Sequence, residues 1–283
     1  MKPILITGPT GNIGKHVSDI LGHRDLPLRL GMRSITKTDS LDSSPQVHLD
    51  FSKPSTYEKA LHGCKAVFLL RPPAIANTKQ TLNVFIDQAY RLGVEHIVFV
   101  SVAGAQNNRF VPHYAVEQKL INSGESYTIL RPGFFAQNLG DAYRQDIQED
   151  NRIFLPSGQG LVNFIDAQDI SEIAANILTN PSLHKKRAYT LAGQEALSFT
   201  DVAKMLSDSL ERPIRYEASS ILAYARHLHK RKLPLMQVVV QSILHTGIRT
   251  GGANIQDGTA QTLLNRPTRS IETYIQEYKS LWE

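Results

Sequence analysis

The segment "ITGPTGNIG", from Ile6 to Gly14, limits the fold more than any other part of the chain. Glycine recurs at every third position, Gly8, Gly11 and Gly14, directly after the apolar run Ile4, Leu5, Ile6 and before Lys15, His16, Val17. A strand entering a helix through such a loop turns tightly, brings backbone close to a ligand and packs helix on strand without intervening side chains. The helix amino end, with unpaired N–H groups and a favourable dipole, then suits a pyrophosphate. The alternative is a glycine-rich turn that binds nothing.

The remainder of the first half favours the binding loop. "PILIT", "LPLRLGM", "QVHLDF", "AVFLL", "HIVFVSV" and "YTILRP" read as strands, while residues 15–21, 57–61, 78–92 and 114–122 show helical spacing. Strand and helix in turn predict an α/β fold with a doubly wound parallel (Rossmann) sheet, right-handed crossovers and helices on both faces. Residues 1–150 are expected to form this dinucleotide-binding domain, with strand and helix returning to it from about 160–193. "RAYTLAG" reads as one of those returns, and the helix within "FIDAQDISEIAANIL" starts near Asp166 and Asp169, carboxylates that favour a helix amino end. Residues 194–283 read as a smaller, mostly helical substrate lobe, with a helix beginning at Ser198 or Thr200 and "SIETYIQEYKSLW" closing the chain.

The 283 residues suffice for a large core, and 41% hydrophobic with 20% charged residues is ordinary for a soluble globular protein. No apolar run approaches the roughly 20 residues that span a bilayer, so no membrane partner is expected. The glycine segment follows Met1 too closely for a leader, and Cys64 is the sole cysteine. A cytoplasmic home is the expectation. The net charge of +5 has its densest run in "RHLHKRK", from Arg226 to Lys232, without a nucleic-acid module around it. No metal is expected, because His227 and His229 lack ligands at metal spacing, and no G-x-S-x-G elbow supports hydrolase chemistry.

The second strand ends at Gly31, Met32, Arg33, Ser34, with no acid before Asp39. An NAD site commonly places Asp or Glu there for the ribose 2′-hydroxyl, whereas a guanidinium suits a 2′-phosphate. Arg33 therefore favours NADP(H), with NAD(H) as the alternative; Arg33 pointing into solvent is the other reading.

"ITGPTGNIG", Arg33, "LDF", "SVAGA", "SGESYTILRPGFFAQNL" and "FIDAQDISEIAANIL" together resemble the NmrA-like branch of the atypical short-chain dehydrogenases, over nearly the whole chain. The resemblance implies a seven-strand parallel sheet with a dinucleotide across its carboxyl edge. It places Gly8 and the stretch Thr10, Gly11, Asn12, Ile13, Gly14 at the phosphates, Arg33 at the 2′-phosphate, and Asp50 with Phe51 at the adenine. Leu70, Arg71 and Pro72 fall near the ribose and pyrophosphate; Ser101, Val102, Pro132, Gly133 and Phe134 fall near the nicotinamide. Phe51, Leu70 and Val102 read equally well as strand-end core.

Standard short-chain dehydrogenases use Tyr-x-x-x-Lys, whose two side chains share a helix face and whose lysine tunes the phenol as proton donor. Tyr114 and Lys119 lie five apart, about 140° around a helix, and cannot do this together. The resemblance puts His113 in the lysine's place and Arg109 in the tyrosine's. This His-x-x-x-Glu pattern, His113 and Glu117, is similar to the quinone reductase and triphenylmethane reductase branch. Sharing a helical face, the two are expected to position a nicotinamide ribose or a polar substrate end, with a solvated helix-start histidine as the alternative.

Hydride transfer to a quinone or conjugated cation needs no adjacent proton donor, because charge is delocalised or quenched. The expected function is NAD(P)H-dependent reduction of a planar conjugated acceptor, with His113 as catalytic residue and Phe135 and Asn138 as acceptor contacts. The rival is a redox-sensing regulator that binds dinucleotide without turnover and signals to a partner protein; an epimerase fits less well without Tyr and Lys. A homodimer is left open.

Overall fold

The computed structural model describes residues 1–35 and 44–283, so Asp39 lies outside the described residues. The chain runs β1 (Ile4–Thr7), α1 (Asn12–Gly22), β2 (Leu28–Met32), β3 (Gln46–His48), α2 (Tyr57–Leu61), β4 (Ala66–Leu70) and α3 (Leu82–Arg91). There follow β5 (His96–Val100), α4 (Pro112–Asn122), β6 (Tyr127–Pro132), β7 (Phe134–Phe135), α5 (Arg144–Asp150), β8 (Arg152–Leu155) and β9 (Val162–Ile165). The remainder comprises α6 (Ala167–Thr179), β10 (Arg187–Leu191), β11 (Ala196–Leu197), α7 (Phe199–Leu210) and β12 (Arg215–Ala218), then α8 (Ile221–Lys230), α9 (Leu235–Arg249), α10 (Thr259–Leu264) and α11 (Ile271–Glu277).

Two compact units divide it: residues 1–132 with 167–191, and residues 133–166 with 192–283. The first holds a seven-stranded sheet in the order β3, β2, β1, β4, β5, β6, β10. Every neighbouring pair is parallel, as buried strands with near-continuous Ile, Leu, Val and Phe require. Strand order reverses on either side of β1, which makes the carboxyl ends of β1 and β4 the switch point where such sheets take ligands. One face of the sheet is covered by α2, α3 and α4 around Phe85, Ile86, Val116 and Leu120. On α6, Ser171 Oγ donates to the Ile13 carbonyl of α1 at 3.1 Å.

The second unit departs from the expected lobe in two ways. Residues 133–150, expected in the first domain, belong to it, because Phe134, Leu139, Tyr143 and Ile147 join its core with Phe164, Phe199 and Trp282. It is also less purely helical than expected: β11, β9 and β7 form one small sheet and β12 with β8 another. Ser198, not Thr200, caps α7, in a reciprocal capping box with Asp201. The helix read across 78–92 starts only at Leu82; Thr78 is instead buried with its hydroxyl on the Pro112 carbonyl. Among the described residues no helix is long and apolar enough to cross a membrane.

The basic run at 226–232 is partly matched by acids of α5. His227 Nε2 lies 2.8 Å from Asp146, and Arg231 bonds Asp146, Glu149 and Asp150 at 2.9, 2.6 and 3.2 Å.

Candidate functional site: a dinucleotide cradle at the switch point

The three loop glycines have three different causes. Gly8 holds φ +62°, which side-chain-bearing residues rarely adopt. A Cβ on Gly14 would lie 2.1 Å from the Gly8 carbonyl oxygen, so loop and helix touch with no room for a methyl group. Gly11 is different: its φ is negative, and a Cβ there would meet only the Gly8 oxygen at an ordinary 3.6 Å. Nothing within the fold forbids alanine at 11, whereas a phosphate approaching the exposed loop would.

Gly8, Thr10, Gly11 and Asn12 are exposed, Ile13 is half-buried, and no side chain caps the amino end of α1. An uncapped helix end beside a bare glycine fits an anion. The loop is braced from β4, where the Leu70 amide donates to Thr7 Oγ1 at 2.8 Å and the Leu70 side chain sits under Gly8. Arg33, just past β2, is exposed and has no partner among the described residues.

At the end of β3 the Asp50 carboxylate accepts the amide and hydroxyl of Ser52, at 2.9 and 2.6 Å, which hold it below the usual carboxylate range. Phe51 turns the other way. Its ring is buried edge-on against Phe85, with centroids 5.1 Å apart, so the strand-end core reading is the right one for its side chain. Leu70 and Val102 are half-buried.

Arg71 does more than the sequence suggests. Nη1 donates to the carbonyls of Pro72, Pro73 and Ile75 at 3.0, 3.2 and 2.7 Å, which fixes the loop after β4. Its Nε donates to His113 Nε2 at 3.2 Å. Arginine does not surrender that proton, so the imidazole is neutral with its own proton on Nδ1. Burial and the adjoining guanidinium push the His113 pKa down to about 3. Nδ1 is buried and has no hydrogen-bond partner among the described residues.

Glu117, expected to position a ligand together with His113, is engaged within the fold instead. Glu117 is fully buried and takes a bidentate bond from Arg131, with Nε to Oε1 at 3.1 Å and Nη2 to Oε2 at 2.6 Å. Ser101 Oγ adds a 2.5 Å bond to Oε1. Burial of the carboxylate makes a full set of donors obligatory, and Arg131 and Ser101 supply it. Ser101 thus spends its hydroxyl inside the fold, and Pro132 accepts the Ala103 amide at 2.8 Å. Arg131 went unnoticed as a functional position; a charged residue inside the apolar run "YTILRP" was the available signal.

Tyr114 and Lys119 border one groove of about 560 Å³ with Arg109, Asn83 and Lys79, on the outer side of α3 and α4. Lys119 Nζ is held by Asp87 at 2.5 Å, so it has no phenol to tune. No other tyrosine lies on α4. Gly133, Phe134, Phe135 and Asn138 fall in the second unit. The Phe134 ring is core there, edge-on to Phe164 at 5.5 Å; Phe135 and Asn138 are half-buried. Among the described residues no group of three or more His, Cys, Asp or Glu side chains could hold a metal ion.

Comparison with known proteins places this arrangement. Residues 1–254 match the NmrA-like family. The NAD(P)H azoreductase of Xenophilus azovorans is 34% identical over 226 residues, 77% of each chain. The NADPH-dependent quinone oxidoreductase of Escherichia coli, solved with NADPH, aligns with a TM-score of 0.88 at 23% identity, over 97% of this chain and 99% of its own. Citrobacter sp. triphenylmethane reductase, solved with NADP(H), aligns at 0.84 and 22%, over 97% and 99%. The last two likenesses speak for the fold.

Proposed function

The chain belongs to the NmrA-like family, and from that premise we propose that this NAD(P)H-dependent oxidoreductase delivers hydride to a planar conjugated acceptor of the quinone, azo or arylmethane-cation class. Arg33, exposed and unpaired among the described residues, favours NADPH as the reductant. The cradle fits such a cofactor on two independent grounds: glycine at 11 where the fold itself would tolerate a methyl group, and an orphaned buried N–H on His113. Thr10, Gly11, Asn12 and Ile13 would take the phosphates, Asp50 and the Phe51 backbone the adenine, and Leu70, Arg71 and Pro72 the ribose and pyrophosphate. Val102, His113 and Pro132 would lie toward the nicotinamide.

One observation carries the acceptor class: α4 holds no tyrosine paired with a lysine to act as proton donor. Arg71 holds His113 neutral, so the imidazole cannot act as an acid near pH 7, and its Nδ1–H serves only as a fixed hydrogen-bond donor. The reading of His113 as catalytic therefore narrows to binding and orientation. When bound, the nicotinamide supplies the hydride; the chain's residues position it and leave protonation to water. A simple ketone, whose alkoxide needs a donor as it forms, should be reduced poorly. Phe135 and Asn138 stay our candidates for acceptor contacts.

The test is anaerobic oxidation of NADPH by the purified protein with a benzoquinone, an azo dye, a triphenylmethane dye and an aliphatic ketone. Turnover with one or more planar acceptors and none with the ketone is expected. Tight NADPH binding with no oxidation by any planar acceptor would overturn the reading in favour of a regulator.

A further inference from the structure

The sequence from 218 to 256 contains no aspartate or glutamate, yet it carries Arg226, Lys230, Arg231, Lys232 and Arg249. It folds as α8, a short basic turn, and α9, with the two helices packed on each other. Arg231 and His227 are engaged by α5. Arg226, Lys230 and Lys232 are exposed, and their side chains have no hydrogen bond or ion pair among the described residues.

The second helix is apolar on two sides. Val238 and Ile248 face the core of their unit, with His245 buried beside them. Leu235, Met236, Val239, Val240, Ile243 and Leu244 are exposed, at 75%, 72%, 45%, 55%, 68% and 49%. At 100° per residue these six cover an arc of about 180°. On α8, Leu222 is 79% exposed and Ile221 46%. Each such side chain offers on the order of 100 Å², so together they exceed the few hundred Å² that soluble monomers usually leave in one apolar patch. A helix apolar all round is normally covered all round, by protein or by lipid.

Charge selects among the occupants. A second copy would bring the same cations to α8 and α9, which have no acid of their own, and the neighbouring acids of α5 are already engaged by Arg231. A nucleic acid would meet the cations but leave the aliphatic side chains in water. A bilayer rich in anionic lipid satisfies both, with headgroups for the basic turn and an acyl boundary for α9.

We propose that α8 and α9 dock on an anionic membrane surface, with α9 lying in the headgroup plane and the turn around Lys230 and Lys232 bound to lipid phosphates. The expectation of no membrane partner rested on the lack of a spanning segment; a helix lying flat needs none. This inference stands on the second unit alone and is independent of the acceptor.

Flotation of the intact protein with phosphatidylcholine vesicles, with and without phosphatidylglycerol, tests it. Wild type should float with the anionic vesicles, weakly with the neutral ones, and less at high salt. Met236→Glu with Ile243→Glu, and separately Arg226→Glu with Lys230→Glu, should each lower partitioning onto anionic vesicles by about tenfold or more while the thermal melt stays that of wild type. All four side chains are exposed, so unfolding is not the expected effect. Failure of the wild type to float with anionic vesicles would overturn the proposal. So would sedimentation velocity showing a dimer that Met236→Glu with Ile243→Glu splits while vesicle binding stays unchanged; that result would give the face to a second copy.

Discussion

The largest charge networks of the two units differ in depth. In the first, polar groups sink into the carboxyl edge of the sheet: Thr7 under Leu70, Glu117 on Arg131 and Ser101, Arg71 on a loop and on His113. In the second, the α5–α8 charge network lies nearer the surface, where Asp146, Glu149 and Asp150 meet Arg231 and His227, while a buried Asp166 is bonded by Arg269 and Gln137 and Tyr143 contacts His245. Buried charge is tolerated only when fully bonded, so the first unit has accepted rigid constraints along the edge where the glycine loop sits. The second leaves the charges between α5 and α8 nearer water and freer to rearrange.

Substitutions in matched pairs put that contrast at risk. Gly14→Ala should have the largest effect: a methyl group 2.1 Å from a backbone oxygen forces helix and loop apart, and urea denaturation should show a loss of about 4 kcal/mol or more, or no folded protein. Glu117→Ala leaves a guanidinium in the sheet edge with its main partner gone and should cost about 3–5 kcal/mol. Asp146→Ala, in the second network, should cost only about 1 kcal/mol, because Arg231 keeps Glu149 and Asp150. Equal losses for the two acids would erase the distinction.

Acid should act on both units through buried neutral histidines. Burial holds His96 and His245 down to about 4, and burial with Arg71 holds His113 down to about 3. The unfolded chain takes up protons near pH 6.5 that these rings refuse, so stability is full above that pH and falls as pH drops toward 4. Each histidine adds about 1.4 kcal/mol per pH unit to that slope. Denaturation at stepped pH should show it, and His113→Asn should remove one share.

The smallest effects concern binding. Gly11→Ala should change stability by under about 1 kcal/mol yet weaken NADPH at least about tenfold by calorimetry, separating it from Gly14→Ala. Arg33→Ala should weaken NADPH by about tenfold and leave NADH unchanged; equal loss of both would assign Arg33 another job.

Local chemistry explains what could be read from the sequence. Strands β1, β4, β5 and β6 are apolar runs bounded by turn residues, visible because burial on both faces demands continuous Ile, Val, Leu and Phe; the edge strand β3, Gln46-Val47-His48, was carried by the apolar residues beside it. The start of α7 was legible only as Ser198 or Thr200; the reciprocal bonds with Asp201 decide for Ser198. The assignment of 133–150 was not legible, since Phe134 and Tyr143 carry no mark of which core they join; only the packing decides. The three-stranded small sheet stayed hidden because β7 and β11 are two residues long, below any period. At the site, Gly8, Gly11 and Gly14 were legible as a set, but their separate causes needed the backbone. His113 was found by alignment to a pattern, while its real neighbour, Arg71, stands 42 positions away in the chain.

The contact between Arg71 and His113 also bears on how this chain could change. Restoring the Tyr-x-x-x-Lys pair of other short-chain dehydrogenases would mean Arg109→Tyr and His113→Lys, and the new ammonium would arrive against a guanidinium already anchored to three carbonyls. Two like charges in that confined space repel, so the two substitutions alone would not install a working proton relay. Arg71 would have to go as well, and with it the loop it holds.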